Sequence, residues 1–145
     1  MTQVAFHFGA PDKLAYACRL LRKASATGAR VLVVADAAHC QRLDEQLWAV
    51  SPTDFVSHCV VSASASQVGR ASVLLTHGGG ARPAGMSVLV NLGHEMPSGF
   101  DAFKRVIEVV SLDDADRQQA RARWKQYTSL GYDIERHDLQ LKGAN

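Results

Sequence analysis

Arg30-Val31-Leu32-Val33-Val34-Ala35, closed by Asp36, decides the fold. A nearly continuous apolar run of this length, with no polar alternation, is a strand of the kind covered on both faces of a parallel sheet. Upstream, Lys13 to Thr27 carries Leu14, Cys18, Leu21 and Ala24 at helical spacing and stops at Gly28, which marks a helix. Before it, Val4 to Phe8 is a short β-type run, and Gly9-Ala10-Pro11-Asp12 is a turn ending in an N-cap candidate. Downstream, Asp36 caps a second helix that runs to about Trp48. Strand, helix, strand, helix is the opening of a layered α/β domain.

Further along, Ser51-Pro52-Thr53-Asp54 is a loop, Phe55 to Val61 passes as a short strand, and Ser62 to Arg70 reads as a surface connection. Ser72 to His77 and Met86 to Gly93 are two more strands, joined by Gly78-Gly79-Gly80-Ala81-Arg82-Pro83. Phe100 to Arg105 reads as a short helix, Val106 to Val110 as a strand, Asp113 to Leu130 as a long helix and Tyr132 to His137 as a last strand. No repeat, low-complexity tail or internal boundary interrupts this pattern. Residues 1–145 are expected to form one domain, large enough to bury a core without disulfides or metal.

The bulk numbers exclude more than they assign. A net charge of +2 on 145 residues is too small to imply nucleic-acid binding, so an electrostatic partner would have to be read by a local patch. Cys18, Cys40 and Cys59 are an odd number without framework spacing, which favours reduced thiols in a cytoplasmic protein. No window approaches the roughly 18 apolar residues of a membrane span, and no membrane partner is expected.

The long helix is the densest functional signal. In Asp113-Asp114-Ala115-Asp116-Arg117-Gln118-Gln119-Ala120-Arg121-Ala122-Arg123-Trp124-Lys125-Gln126-Tyr127 the acids come first and the bases follow, as the helix macrodipole favours. The three aspartates are accounted for by capping. At 100° per residue, Ala120, Trp124, Tyr127 and Gly131 share one narrow sector, and Arg117, Arg121 and Lys125 make a stripe beside it. An aromatic edge flanked by three cations suits a ligand both acidic and apolar; a solvated amphipathic helix is the plainer reading of the same residues.

Other chemistries find little support. The first strand-to-helix turn has one glycine, a proline without a donor and an aspartate that repels phosphate, so it is not the G-x-G-x-x-G turn of dinucleotide folds. No G-x-x-x-x-G-K-[ST] occurs, and Gly78-Gly79-Gly80 joins two strands and opens no helix. His39-Cys40 and His58-Cys59 look like zinc half-sites, but adjacent ligands on a helix point about 100° apart and close poorly on one ion. His7, His77 and His94 are candidates for strand ends, without a nucleophile or partner acid at recognisable spacing. No catalytic, cofactor or metal residue is assigned. Leu43, Leu47, Trp48 and Phe55 place large apolar groups in a polar setting, either as core beneath the Pro52 loop or as a protein-binding surface.

Gly28-Ala29-Arg30-Val31-Leu32-Val33, Gln41-Arg42-Leu43-Asp44-Glu45-Gln46-Leu47-Trp48, Phe55-Val56-Ser57-His58 and Ala120 to Tyr127 with Gly131-Tyr132, in that order, resemble the chi subunit of bacterial DNA polymerase III. The resemblance spans essentially the whole chain, its R-L-D-E-x-L-W segment is the most specific piece, and Ser62 to Arg82 shows little of it. It implies a three-layer α/β/α sandwich with a mostly parallel, Rossmann-like sheet that binds no nucleotide and needs no cofactor. It also implies a non-catalytic accessory subunit of the clamp loader, bridging the psi subunit and the acidic, Pro-Phe-ended C-terminal tail of single-stranded DNA-binding protein, and meeting DNA only indirectly. By the same resemblance the tail would be held by Val110, Arg117, Arg121, Trp124 and Lys125, and psi by Trp48 and Phe55. Two positions depart from the family: Trp124 stands where tyrosine is frequent, and Thr128 where a further arginine is expected, leaving the basic stripe one charge shorter. The alternatives are a nucleotide-dependent enzyme on the same frame and direct single-strand binding through the basic helix.

Overall fold

A computed structural model of the chain describes residues 2–48, 58–60, 73–76, 86–97 and 99–139. Among these residues seven strands form one sheet: β1 (Gln3–Ala10), β2 (Val31–Val34), β3 (His58–Val60), β4 (Val73–Thr76), β5 (Val88–Asn91), β6 (Arg105–Ser111) and β7 (Ile134–Asp138). Their order is β3-β4-β2-β5-β6-β1-β7, and every described pairing is parallel.

The alternation along these strands sorts the core into two layers. Val31, Val33, Val73, Leu75, Val90, Ile107 and Val109 face one side, where they meet Leu14, Ala17, Cys18 and Leu21 of α1 (Lys13–Ala26) and Cys40, Leu43 and Leu47 of α2 (Ala37–Trp48). Val4, Phe6, Leu32, Leu74, Leu89, Val106 and Val110 face the other, under Ala120 and Tyr127 of α3 (Asp114–Ser129) and beside Phe100 and Phe103. Helices on both faces of a parallel sheet make the expected three-layer α/β/α sandwich.

Each helix starts where a short acidic side chain replaces a missing intrahelical acceptor, a contact that contributes about 1 kcal/mol. Asp12 accepts from the Ala15 N–H at 3.1 Å, Asp36 from the His39 N–H at 2.8 Å, and Asp113 from the Asp116 N–H at 3.2 Å. At the far end of α3, Gly131 has φ +91°, a left-handed conformation that costs an L side chain and turns the chain into β7.

One expectation needs correcting. Phe100 to Arg105 is not a helix: one 3-10 turn covers Phe100–Ala102 and Arg105 already opens β6. Phe100 and Phe103 are spaced like a helical apolar pair, but Phe103 is extended, and Lys104 and Arg105 both donate N–H to the Ser87 carbonyl, drawing the chain into the sheet. Leu43 and Leu47 are fully buried core residues. Trp48 is the last residue of α2, while Phe55, His77 and the triple glycine lie outside the described residues.

Candidate functional site

A groove of about 500 Å³ lies between α3 and strands β1, β6 and β7. The floor is aromatic. Phe6 and Phe8 rise from β1, Val110 from β6, and the Trp124 ring leans on Phe6 with centroids 5.1 Å apart at 57°. Arg117, Arg121 and Lys125 line the α3 wall, with Ala120 below them. All five residues assigned to one site by resemblance, Val110, Arg117, Arg121, Trp124 and Lys125, therefore border the same groove.

The groove is positively charged and largely uncompensated. Arg117 has only a 3.8 Å contact to Asp114, with both side chains at least half exposed, an arrangement that contributes little in water. Arg121 and Lys125 are exposed and make no ion pair with a described residue. Thr128 turns its hydroxyl back to donate to the Trp124 carbonyl at 2.9 Å, so that position offers no charge.

One cation of the groove comes from elsewhere in the chain. Arg136 of β7 lines the opposite wall, its guanidinium carbon 5.7 Å from the Phe8 ring centre and 5.9 Å from that of Trp124. Register explains the placement, because β1 and β7 pair Phe6 with Arg136 and Phe8 with Asp138. The sequence signal for it was the alternation of Phe6 and Phe8, which needs a neighbouring strand to be useful.

What holds α3 against the sheet is polar as well as apolar. Glu108 faces the α3 layer between Val106 and Val110, is fully buried, and accepts from Arg123 Nε at 3.0 Å, the Tyr127 hydroxyl at 2.8 Å and Asn91 Nδ2 at 3.0 Å. Arg123 Nη1 also donates to the His94 carbonyl at 2.8 Å. Burial pushes the Glu108 carboxyl up from its ordinary value, opposed by the Arg123 charge and by the three donors. Burial likewise drives the Tyr127 phenol far up, helped by the neighbouring Glu108 charge, so Tyr127 remains a donor.

Asp116 is more than a helix-capping residue. It is buried and accepts from Lys13 Nζ at 3.1 Å and from the Ser111 N–H and hydroxyl at 2.8 and 3.0 Å. Burial alone would raise its carboxyl; the Ser111 N–H and the Lys13 ammonium outweigh that and hold it below the ordinary value. The contact ties α1 on one face of the sheet to α3 on the other.

The remaining candidates disperse. His7 lies inside β1, its Nδ1 against the Tyr16 hydroxyl, and His94 follows β5 with its side chain mostly in solvent. At the first strand-to-helix turn the Asp12 carboxylate already occupies the α1 N-terminus, the place a phosphate would need. Among the described residues no cluster of His, Cys, Asp and Glu is arranged to hold a metal. His39 pairs with Asp36 at 3.0 Å, and the buried Cys40 thiol is pushed up to about 11 by burial and the Asp36 charge. No described helix is long and apolar enough to cross a membrane.

Comparison with known proteins gives these features a context. The family model described as DNA polymerase III chi subunit, HolC, matches residues 1–135. The DNA polymerase III subunit chi of Pseudomonas aeruginosa is 36% identical over 130 residues, covering 88% of this chain and 87% of that protein. Its counterpart in Haemophilus influenzae is 30% identical over 124 residues, covering 85% of each. The Escherichia coli counterpart is 29% identical over 118 residues, covering 81% of this chain and 79% of that protein. Among solved structures, the C-terminal domain of S. cerevisiae Dbp5 bound to Gle1 superposes with a TM-score of 0.62 over 95% of this chain and 90% of that one. At 14% identity that likeness is one of fold alone.

Proposed function

The chain belongs to the DNA polymerase III chi subunit family, and from that premise we propose that it is a non-catalytic accessory subunit of the clamp-loader complex that grips the acidic C-terminal tail of single-stranded DNA-binding protein and docks on psi. The observation that carries the tail-binding reading is the groove: an aromatic floor of Phe6, Phe8 and Trp124 beneath the exposed cations Arg117, Arg121 and Lys125. A free C-terminal phenylalanine has an apolar ring and a carboxylate on adjacent atoms, and this groove offers complementary chemistry for both. Aspartates preceding it meet the α3 stripe through charge-assisted contacts. DNA is reached through the protein whose tail is held.

For psi, the proposal rests on Trp48 at the end of α2 and on Phe55, and the two partners would engage different parts of the molecule.

The test is a titration of an acidic peptide ending in Pro-Phe, followed by fluorescence anisotropy. The expected affinity is on the order of micromolar, about −8 kcal/mol, weakening as salt screens the stripe. Amidating the peptide's C-terminus should weaken it further. No saturable binding at low salt would overturn the tail-binding reading.

A further inference from the structure

We propose that Arg136 is a fourth recognition cation of the groove, closing it from the β7 side and supplying the charge that Thr128 does not. This rests on the tail-binding reading and extends it from a site on one helix to a clamp with two walls. Arg117, Arg121 and Lys125 follow one another along α3 and can contact a peptide from one side only. Arg136 stands on a different element, is exposed, and makes no ion pair with a described residue.

Its position is set by aromatic contacts with both the floor and the helix. The guanidinium lies within 6 Å of two ring centres, Phe8 and Trp124, a range in which a cation is attracted to the ring face. Such stacking uses the planar face and leaves the in-plane N–H donors free for a carboxylate. Thr128, one turn beyond Trp124 on α3, is meanwhile committed to a backbone carbonyl. The cation is therefore on the strand and not on the helix, and a carboxylate seated over Trp124 is met from two directions. The ligand class is a peptide carboxylate, either the terminal one or an aspartate side chain.

The deciding experiment measures peptide affinity and its salt dependence for the wild type, Arg136→Ala, Arg136→Lys, Arg121→Ala and the double variant Arg136→Ala with Thr128→Arg. Arg136→Ala is expected to lose about tenfold in affinity, the scale of one charge-assisted contact, and to show a shallower salt dependence. Arg136→Lys should recover part of the loss, and Thr128→Arg should restore binding to Arg136→Ala from the other wall. A circular-dichroism melt of each variant checks the fold; should Arg136→Ala unfold, Arg136→Gln, which keeps the stem, takes its place. If the wild type binds and Arg121→Ala weakens it while Arg136→Ala stays within twofold, Arg136 is not a recognition residue although the tail site stands. If the wild type does not bind, both proposals fall together.

Discussion

Arg123 Nε meets Glu108 Oε1 at 3.0 Å with the two side chains 2% and 0% exposed, so a fully buried ion pair pins α3 to the middle of β6. Such pairs contribute little net stability but leave an uncompensated charge when one partner is removed. Arg123→Ala is expected to destabilise the protein by about 3–5 kcal/mol, read as a lower urea midpoint. Replacing the pair together, Arg123→Met with Glu108→Gln, should cost clearly less. Equal losses for the single and double variants would show that packing, not charge, dominates there.

Asp116 makes a pH-dependent contribution of definite sign. Its folded value lies below the ordinary 3.8, so on acidification the unfolded chain takes up the proton first and gains relative to the native state. The stability difference between wild type and Asp116→Asn should be constant above about pH 5 and shrink as the pH falls below 3.8 and through the folded value. Denaturant curves at several pH values give that difference directly. A gap independent of pH down to acid unfolding would contradict the Lys13 and Ser111 account.

Trp124 can be varied while all four cations are kept, although its ring also supports Arg136. Trp124→Tyr keeps an aromatic face against Phe6 and is expected to bind the acidic peptide within a few-fold of wild type. Trp124→Ala removes part of the floor and should weaken binding by about tenfold, the scale of one lost aromatic contact. Anisotropy titrations of the two variants side by side check it.

Trp48→Ala and Phe55→Ala should each abolish co-purification with psi while leaving the melting temperature and peptide affinity near wild type. If both variants simply unfold, the two side chains belong to the core and the psi assignment fails.

How much of this was legible beforehand depends on whether the informative residues share an element. Arg117, Arg121, Trp124 and Lys125 lie on one helix, where a period of 3.6 reveals a face without knowledge of anything else. The apolar run at Val31 to Val34 announced a sheet buried on both faces for the same reason. Arg136, Phe6 and Phe8 are related only through the β1–β7 register, which local periodicity cannot supply. In sequence Glu108 is one residue of a strand, and only its place between Val106 and Val110 hints that a carboxylate on that face needs a buried donor. Three acids in a first turn look alike in sequence, whereas in the structure only Asp113 caps and Asp116 points at Lys13.

The pairing of β1 with β7 joins the first strand of the chain to the last described one. A ribosome that has delivered α3 has produced the helical cations but neither Arg136 nor the edge strand that shelters Phe6 and Phe8. The groove can therefore close only after β7 has been made. A chain cut short before residue 134 would carry the helical cations but neither Arg136 nor the strand that pairs with β1, and so only one side of the groove.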